Sequence, residues 1–368
     1  VSAKNAAPKR AFLVIFLQLR ARFRLPDTPV LTPLRNLLDT ALLGGGHLPP
    51  PLLSRDTTGP CEMSAARSLS QIAQELTRTQ AAGSGCCPAC GASAETAAHA
   101  WRFVNARGET NWLQCSDCHS YFMDREYALE SEVEHTQQMT WGDSEQGAQL
   151  NAFKELMYQS ILHSIRRLIS PAGRTLLDVG CAYGGFLQAA AAAGFHVLGY
   201  DIVPAAVKHV QKLGFQGQVC GRAEEFRLTA EPLDVITVLD ANIYWPDQPA
   251  ELRQIYDRLK PGGLLVMRVV DKSWLATFGA RLQQVTPAAG QKLLRRAVND
   301  HRFSMPLGSL LGLLEQTGFR IVSASPRGAV HSKKTSLPVK LSFGLGTALW
   351  HTLGIFLAPG AVVIAEKP

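Results

Sequence analysis

The sequence predicts an α/β protein of two folding units, a small cysteine-bearing module followed by a doubly wound, mostly parallel sheet. Three observations carry this. Two C-x-x-C pairs, Cys87 with Cys90 and Cys115 with Cys118, stand 24 residues apart. From Thr175 a buried-strand pattern runs directly into a glycine-containing turn and an alanine-rich helix, the order that opens a doubly wound sheet. Beyond it, apolar strand patterns alternate with helical ones as far as Ala365. With 368 residues, 46% hydrophobic and 18% charged, the chain is globular in composition, which excludes wholesale disorder and collagen-like repeats.

Residues 1–62 are expected to be a leader or disordered extension, with Met63 as the working start. The apolar run from Ala11 to Leu19 falls short of the ~20 residues a membrane span needs. Arg20, Arg22 and Arg24 stand where a secretory signal needs small residues for cleavage. No acid precedes Asp27, which fits a transit peptide better, but Gly44 to Gly46 and Pro49 to Pro51 interrupt any long amphipathic helix. The formal charge of +7 is unevenly placed: residues 291–340 hold nine Lys or Arg against two acids. A uniform nucleic-acid-binding surface is thereby disfavoured, leaving a basic region near the C-terminus.

Residues 84–123 are expected to form a zinc ribbon. Two C-x-x-C knuckles supply four thiolates that grip a tetrahedral Zn²⁺ from two sides, so the predicted ligands are Cys87, Cys90, Cys115 and Cys118. Segments from Trp101 and Trp112 read as short strands carrying one knuckle each. With all four positions filled by protein, the site is structural. Cys86 and His119 are weaker alternates, and unmetallated buried thiols are the competing account. Crowded cysteines of this kind point to a reducing, cytoplasmic setting with no need for disulfides. Residues 124–170 follow as a helical connector, with Phe153, Leu156, Met157 and Ile161 at helical spacing, ending at the breaker Ser170 to Gly173.

The main unit spans 171–368. Its first strand, T-L-L-D-V-G, leads into Cys181 to Gly185, and a second strand, His196 to Asp201, ends on a carboxylate. Asp201 is placed to accept the two hydroxyls of a ribose; a helix cap ahead of Pro204 is the plainer alternative. The turn alone is weak evidence for a dinucleotide, and Asp178 argues against one, because a buried carboxylate would repel a pyrophosphate. A cofactor with a cationic amino-acid end would accept it. S-adenosylmethionine, which carries an ammonium and a sulfonium, fits.

The run L-L-D-V-G-C-A-Y-G-G resembles the first motif of class I S-adenosylmethionine-dependent methyltransferases. Gly221 to Glu224 resembles the adenine-contacting turn, Leu233 to Asp240 the fourth strand, and Leu259 to Met267 the helix-turn-strand after it. With the ribbon in front, residues 87–368 resemble the zinc-ribbon-bearing subgroup. The resemblance implies a seven-stranded Rossmann-like sheet. It also implies a cofactor site in which Asp178, Gly180, Ala182 and Gly184 hold the methionine end, Asp201 the ribose, Ala223 and Glu224 the adenine, with Asp240, Asn242 and Tyr244 at the rim. Ala182 replaces the motif's middle glycine. Ile243 and Tyr244 stand where many relatives carry an acid and a histidine, which leaves no general base to borrow.

Residues 271–306 read as a basic, partly helical insertion. His301, beside the segment where relatives place a lid, is a catalytic candidate with Tyr244, because an imidazole pKa near 6.5 suits proton abstraction; a capping or surface histidine is the alternative. Two last strands follow, from Phe319 and from Ala361. Between them the uncharged stretch Leu341 to Leu357 is split from the last strand by Pro359 and Gly360, against a full membrane span. A peripheral contact of 333–357 with an inner membrane face and a helix closing the pocket both remain open. The predicted function is methyl transfer to a small-molecule acceptor such as a sugar, lipid precursor or other metabolite. An RNA methyltransferase would show steep salt dependence, and a non-catalytic zinc-dependent adaptor would yield no methylated product.

Overall fold

The structure is a computed structural model, and it describes residues 85–105, 108–124, 144–298, 301–326, 337–353, 356–358 and 360–368. The leader reading of 1–62 and the start at Met63 lie outside the described residues.

The ribbon contributes three antiparallel strands, β1 (Ala98–Asn105), β2 (Gly108–Gln114) and β3 (Tyr121–Met123). A fourth, β9 (Phe303–Ser304), comes from far along the chain and pairs antiparallel with β3, Phe122 opposite Phe303. The ribbon is therefore not a self-contained module of 84–123. Trp101 stacks on Trp112 with ring centroids 5.7 Å apart, and Tyr121 leans on Trp101. These rings pack on Ala276, Leu294, Ala297 and Val298 of two helices, α5 (Ser273–Val285) and α6 (Pro287–Val298). The expected insertion is thus a helical hairpin roofing the ribbon sheet.

The larger sheet holds seven strands. Chain order gives β4 (Thr175–Val179), β5 (His196–Asp201), β6 (Gln216–Val219), β7 (Leu233–Leu239), β8 (Leu259–Val269), β10 (Arg320–Pro326) and β11 (Ala361–Glu366). Their spatial order is β10-β11-β8-β7-β4-β5-β6. Six point the same way, and β11 runs antiparallel to both neighbours. Helices cover both faces, so the central strands read as continuous apolar runs. On one face α1 (Ser144–Arg166) and α2 (Gly185–Ala192) bury Met157, Ile161, Ile165 and Phe186 against Leu176 and Val235. On the other, α4 (Gln248–Arg258) and α7 (Leu307–Thr317) share a core with Leu177, Leu198, Phe122, Phe303 and the knuckle thiols. Residues 144–166 are helical, as expected of the connector, but Leu156 faces solvent.

Local chemistry sets the helix starts. Asp247 Oδ1 accepts from Ala250 N at 3.0 Å and caps α4. Pro204 opens α3 (Pro204–Lys212) in its first turn. From β4 the chain winds outward through β5 and β6, then returns to β7 on the other side of β4. The crevice between the ends of β4 and β7 is the topological switch point, where ligands bind in open α/β sheets.

Candidate active site and metal centre

The cofactor half of the site grows from the end of β4. Gly180 takes φ +71°, and a Cβ there would lie 2.6 Å from the Ala241 Cβ, so only glycine fits. The amides of Gly180 and Cys181 both donate to Tyr200 O, at 2.9 and 3.0 Å. Ala182 sits at φ +47°, a conformation costing a non-glycine residue about 1 kcal/mol. Asp201 Oδ2 helps hold it there by accepting from Ala182 N at 2.8 Å. Gly184, at φ +76°, starts α2. Asp201 is buried, and its Oδ1 accepts from Val203 N at 2.9 Å. The N-cap of α3 is Val203, so Asp201 does not cap that helix. Burial raises its pKa, against the pull of these amide donors.

Asp178 is 3% exposed, with Thr237 Oγ1 donating to its Oδ1 at 2.6 Å. Burial pushes its pKa up to about 7, and the Thr237 bond offsets only part of that rise. Ala223 is buried and its amide donates to Glu251 Oε2 at 2.9 Å. Glu251, itself buried on α4, also accepts from Arg222 Nε at 3.3 Å. Glu224 is exposed and pairs with Arg222 at 3.6 Å.

The opposite rim starts at Asp240, a non-glycine residue at φ +67°, the kind of strained backbone that collects at functional sites. Its carboxylate pairs with Arg268 and, at 3.6 Å, with Lys154 of α1. Burial opposes its charge, but Arg268 and Lys154 outweigh that and hold the pKa below the ordinary value. Burial in turn lowers the pKa of Lys154, which Asp240 opposes. His301 is 9% exposed, lies within electrostatic reach of Asp240, and its amide donates to Val298 O at 2.9 Å. It is a buried member of this group rather than a surface histidine. Asn242 is 3% exposed; its Nδ2 donates to Gln248 Oε1 at 2.8 Å, while its Oδ1 has no partner. Tyr244, on the same turn, is half-buried. A cavity of about 360 Å³ at the other end of the strands is lined by Arg174, Asp234 and Lys260. Its two cations are already paired to Asp234, at 2.7 and 2.9 Å.

Cys87, Cys90, Cys115 and Cys118 converge, all four Sγ atoms within 4.8 Å of one another. Cys87 to Cys118 is 3.8 Å and Cys90 to Cys115 is 3.7 Å. Zn–S bonds of about 2.3 Å in a tetrahedron require sulfurs about 3.8 Å apart, so the four fit zinc. His119 and Cys86 are not among the converging ligands. Cys86 is disulfide-bonded, which corrects the expectation of a chain with no disulfide.

Residues 153–324 match the family model described as a methyltransferase domain. Over that segment the chain resembles S-adenosylmethionine-dependent methyltransferases. Among curated proteins it resembles a ubiquinone biosynthesis O-methyltransferase of Xylella fastidiosa (strain M23), 29% identical over 170 residues, 45% of this chain and 68% of that one. A protein of the same description from Pseudomonas putida (strain ATCC 700007 / DSM 6899 / JCM 31910 / BCRC 17059 / LMG 24140 / F1) is 33% identical over 115 residues, 28% of this chain and 48% of that one. An S-adenosylmethionine-dependent methyltransferase from Mesorhizobium loti superposes with TM-score 0.41 at 17% identity, over 58% of this chain and 98% of that one.

The structure adds Lys154, Arg268, Glu251 and Gln248 to the residues read from sequence. Glu251 follows the α4 cap and has the pattern of an ordinary first-turn acid, and nothing in sequence spacing marks the other three.

Proposed function

We propose that the chain transfers the methyl group of S-adenosylmethionine to a hydroxyl of a small molecule. Asp178 carries the reading: a carboxylate this buried, partnered by one hydroxyl, calls for a cation. The cofactor's ammonium would supply it, whereas a dinucleotide pyrophosphate would be repelled. The glycine turn leaves room for the methionine end, Asp201 is offered to the ribose, and Ala223 with Glu224 flanks the adenine. Bound there, the cofactor supplies an already activated methyl group, so most of the acceleration comes from holding the acceptor at near-attack distance. Asp240, Asn242, Tyr244 and His301 form the acceptor side, His301 as the group to take the hydroxyl proton. Hydroxyl methylation is favoured over other atoms by the O-methyltransferase description of the relatives.

The four cysteines would hold one structural Zn²⁺. Peripheral membrane contact is the reading we attach to α8 (Leu337–Leu353), whose Phe343 is buried while Leu341 and Leu345 are each 63% exposed. Among the described residues no helix is long and apolar enough to cross a membrane. Flotation with anionic vesicles tests that contact, and salt-insensitive failure to float removes it. For the main reading, calorimetry should show binding of S-adenosylmethionine and not of NAD. Labelled cofactor with a panel of hydroxylated metabolites should give product, and binding of NAD alone would overturn the assignment.

A further inference from the structure

The ribbon reaches the acceptor rim through one side chain. Gln248, at the start of α4, is fully buried, and its amide N donates to Pro88 O at 2.9 Å. Pro88 and Ala89 are the two residues between the first pair of cysteines. The Gln248 carboxamide donates from Nε2 to Ala89 O at 3.3 Å and to Met305 Sδ at 3.1 Å, and accepts Asn242 Nδ2 on Oε1 at 2.8 Å. A carbonyl can only accept. Ala89 O therefore fixes which end of Gln248 is NH₂, and this fixes which end of Asn242 meets it. Asn242 Oδ1 is consequently the end left over, a buried acceptor with no partner two residues past Asp240. Such an atom costs about 1–3 kcal/mol unless something donates to it.

The second knuckle holds the other side of the rim. Ser309 Oγ donates to Cys118 O at 2.8 Å. Met123 N donates to Arg302 O at 3.2 Å, and Arg302 N donates to Ile243 O at 3.1 Å. The His301–Arg302 segment is thus hydrogen-bonded both to the ribbon and to the turn that carries Asn242.

We infer that the ribbon sets the polarity of the acceptor site: Ala89 orients Gln248, Gln248 orients Asn242, and Asn242 Oδ1 receives a hydrogen bond from an O–H or N–H donor on the acceptor. Gln248 is a positioning residue, and the loaded metal knuckle is the anchor of the relay. This rests on the reading of 240–245 and His301 as the acceptor side.

The test uses full-length, zinc-loaded protein. The side-chain carboxamide ¹H–¹⁵N signals of Asn242 and Gln248 are followed by NMR, and S-adenosylmethionine affinity by calorimetry. In Gln248→Met, which keeps the volume and removes all three carboxamide contacts, Asn242 carboxamide exchange should speed up at least tenfold. Cofactor affinity should stay within about twofold, because no relay member lies on the glycine turn. Chelating the zinc should have the same effect on Asn242. If chelation also unfolds the protein, Gln248→Met in the loaded state decides alone. An Asn242 signal unchanged by Gln248→Met overturns the relay, as does a parallel loss of cofactor affinity in that variant. Wild-type protein that binds no S-adenosylmethionine would sink the functional reading instead, and leaves the relay to be judged by the carboxamide signals.

Discussion

Cofactor affinity should depend on pH through Asp178. Burial holds this carboxyl near pKa 7 without ligand, so at pH 6 about one molecule in eleven is ionised. If the ammonium binds only the ionised form, the apparent Kd for S-adenosylmethionine rises about tenfold per unit below pH 7 and levels off above pH 8. The stability of the ligand-free protein moves the opposite way. Below pH ~3.8 the folded and unfolded states are both protonated at this position; as pH rises toward 7 the unfolded chain releases a proton the folded one keeps. The group therefore removes stability across that window, about 1.4 kcal/mol per unit and about 4 kcal/mol in all. Bound cofactor cancels the loss, so the thermal shift it produces should grow from pH 5.5 to 8. Asp178→Asn keeps an acceptor for Thr237 and cannot titrate. Its affinity should be flat with pH and weaker than wild type at pH 8 by roughly a hundredfold, the worth of one charge-assisted buried contact. Calorimetry from pH 5.5 to 8 on both proteins checks this. A wild-type Kd constant over that range, or an Asp178→Asn variant that binds normally at pH 8, refutes the assignment of the carboxylate to the ammonium.

Gly180→Ala places a methyl 2.6 Å from the Ala241 Cβ at φ +71°; a loss of about 2–3 kcal/mol by chemical denaturation is expected. Arg268→Leu leaves the half-buried Asp240 with Lys154 as its paired cation. Because Asp240 has a lowered pKa, its contribution is present above the ordinary carboxylate pKa and lost as pH falls through the lowered one. The variant should lose about 2–4 kcal/mol at pH 7 and less at pH 3, measured by urea unfolding at both. Glu251→Gln weakens the support of the Ala223 amide and should raise the cofactor Kd by roughly fivefold or more, with acceptor saturation unaffected. Elemental analysis should find one zinc per chain, and replacing Cys90 and Cys118 together by Ser should abolish it.

What the sequence could show divides along the same line as the site. Asp178, Gly180, Ala182 and Gly184 lie within seven consecutive residues, so one strand, one turn and one helix start present the residues proposed for the methionine end in a single window. The knuckles are local in the same sense. Both were legible because short-range spacing and geometry coincide there. Even the replaced glycine of the motif has its counterpart, in the positive φ of Ala182. The acceptor rim is built differently. Lys154, Asp240, Gln248, Arg268 and His301 come from five separate elements or loops, gathered because the chain crosses from β6 back to β7 beside β4. No periodicity records that crossing. Nor does any pattern announce β9, since two residues cannot display an alternation. The consequence is that β9, which adds a strand from the insertion to the ribbon sheet, carries no signal of its own, and Gln248 and Arg268 have the look of ordinary helix and strand residues. In the proposed site the methionine end is held by contiguous chain, while the acceptor side is assembled by tertiary contacts. On the proposed function, the acceptor is selected less by any motif than by the buried, unpartnered oxygen of Asn242 and the cations around Asp240.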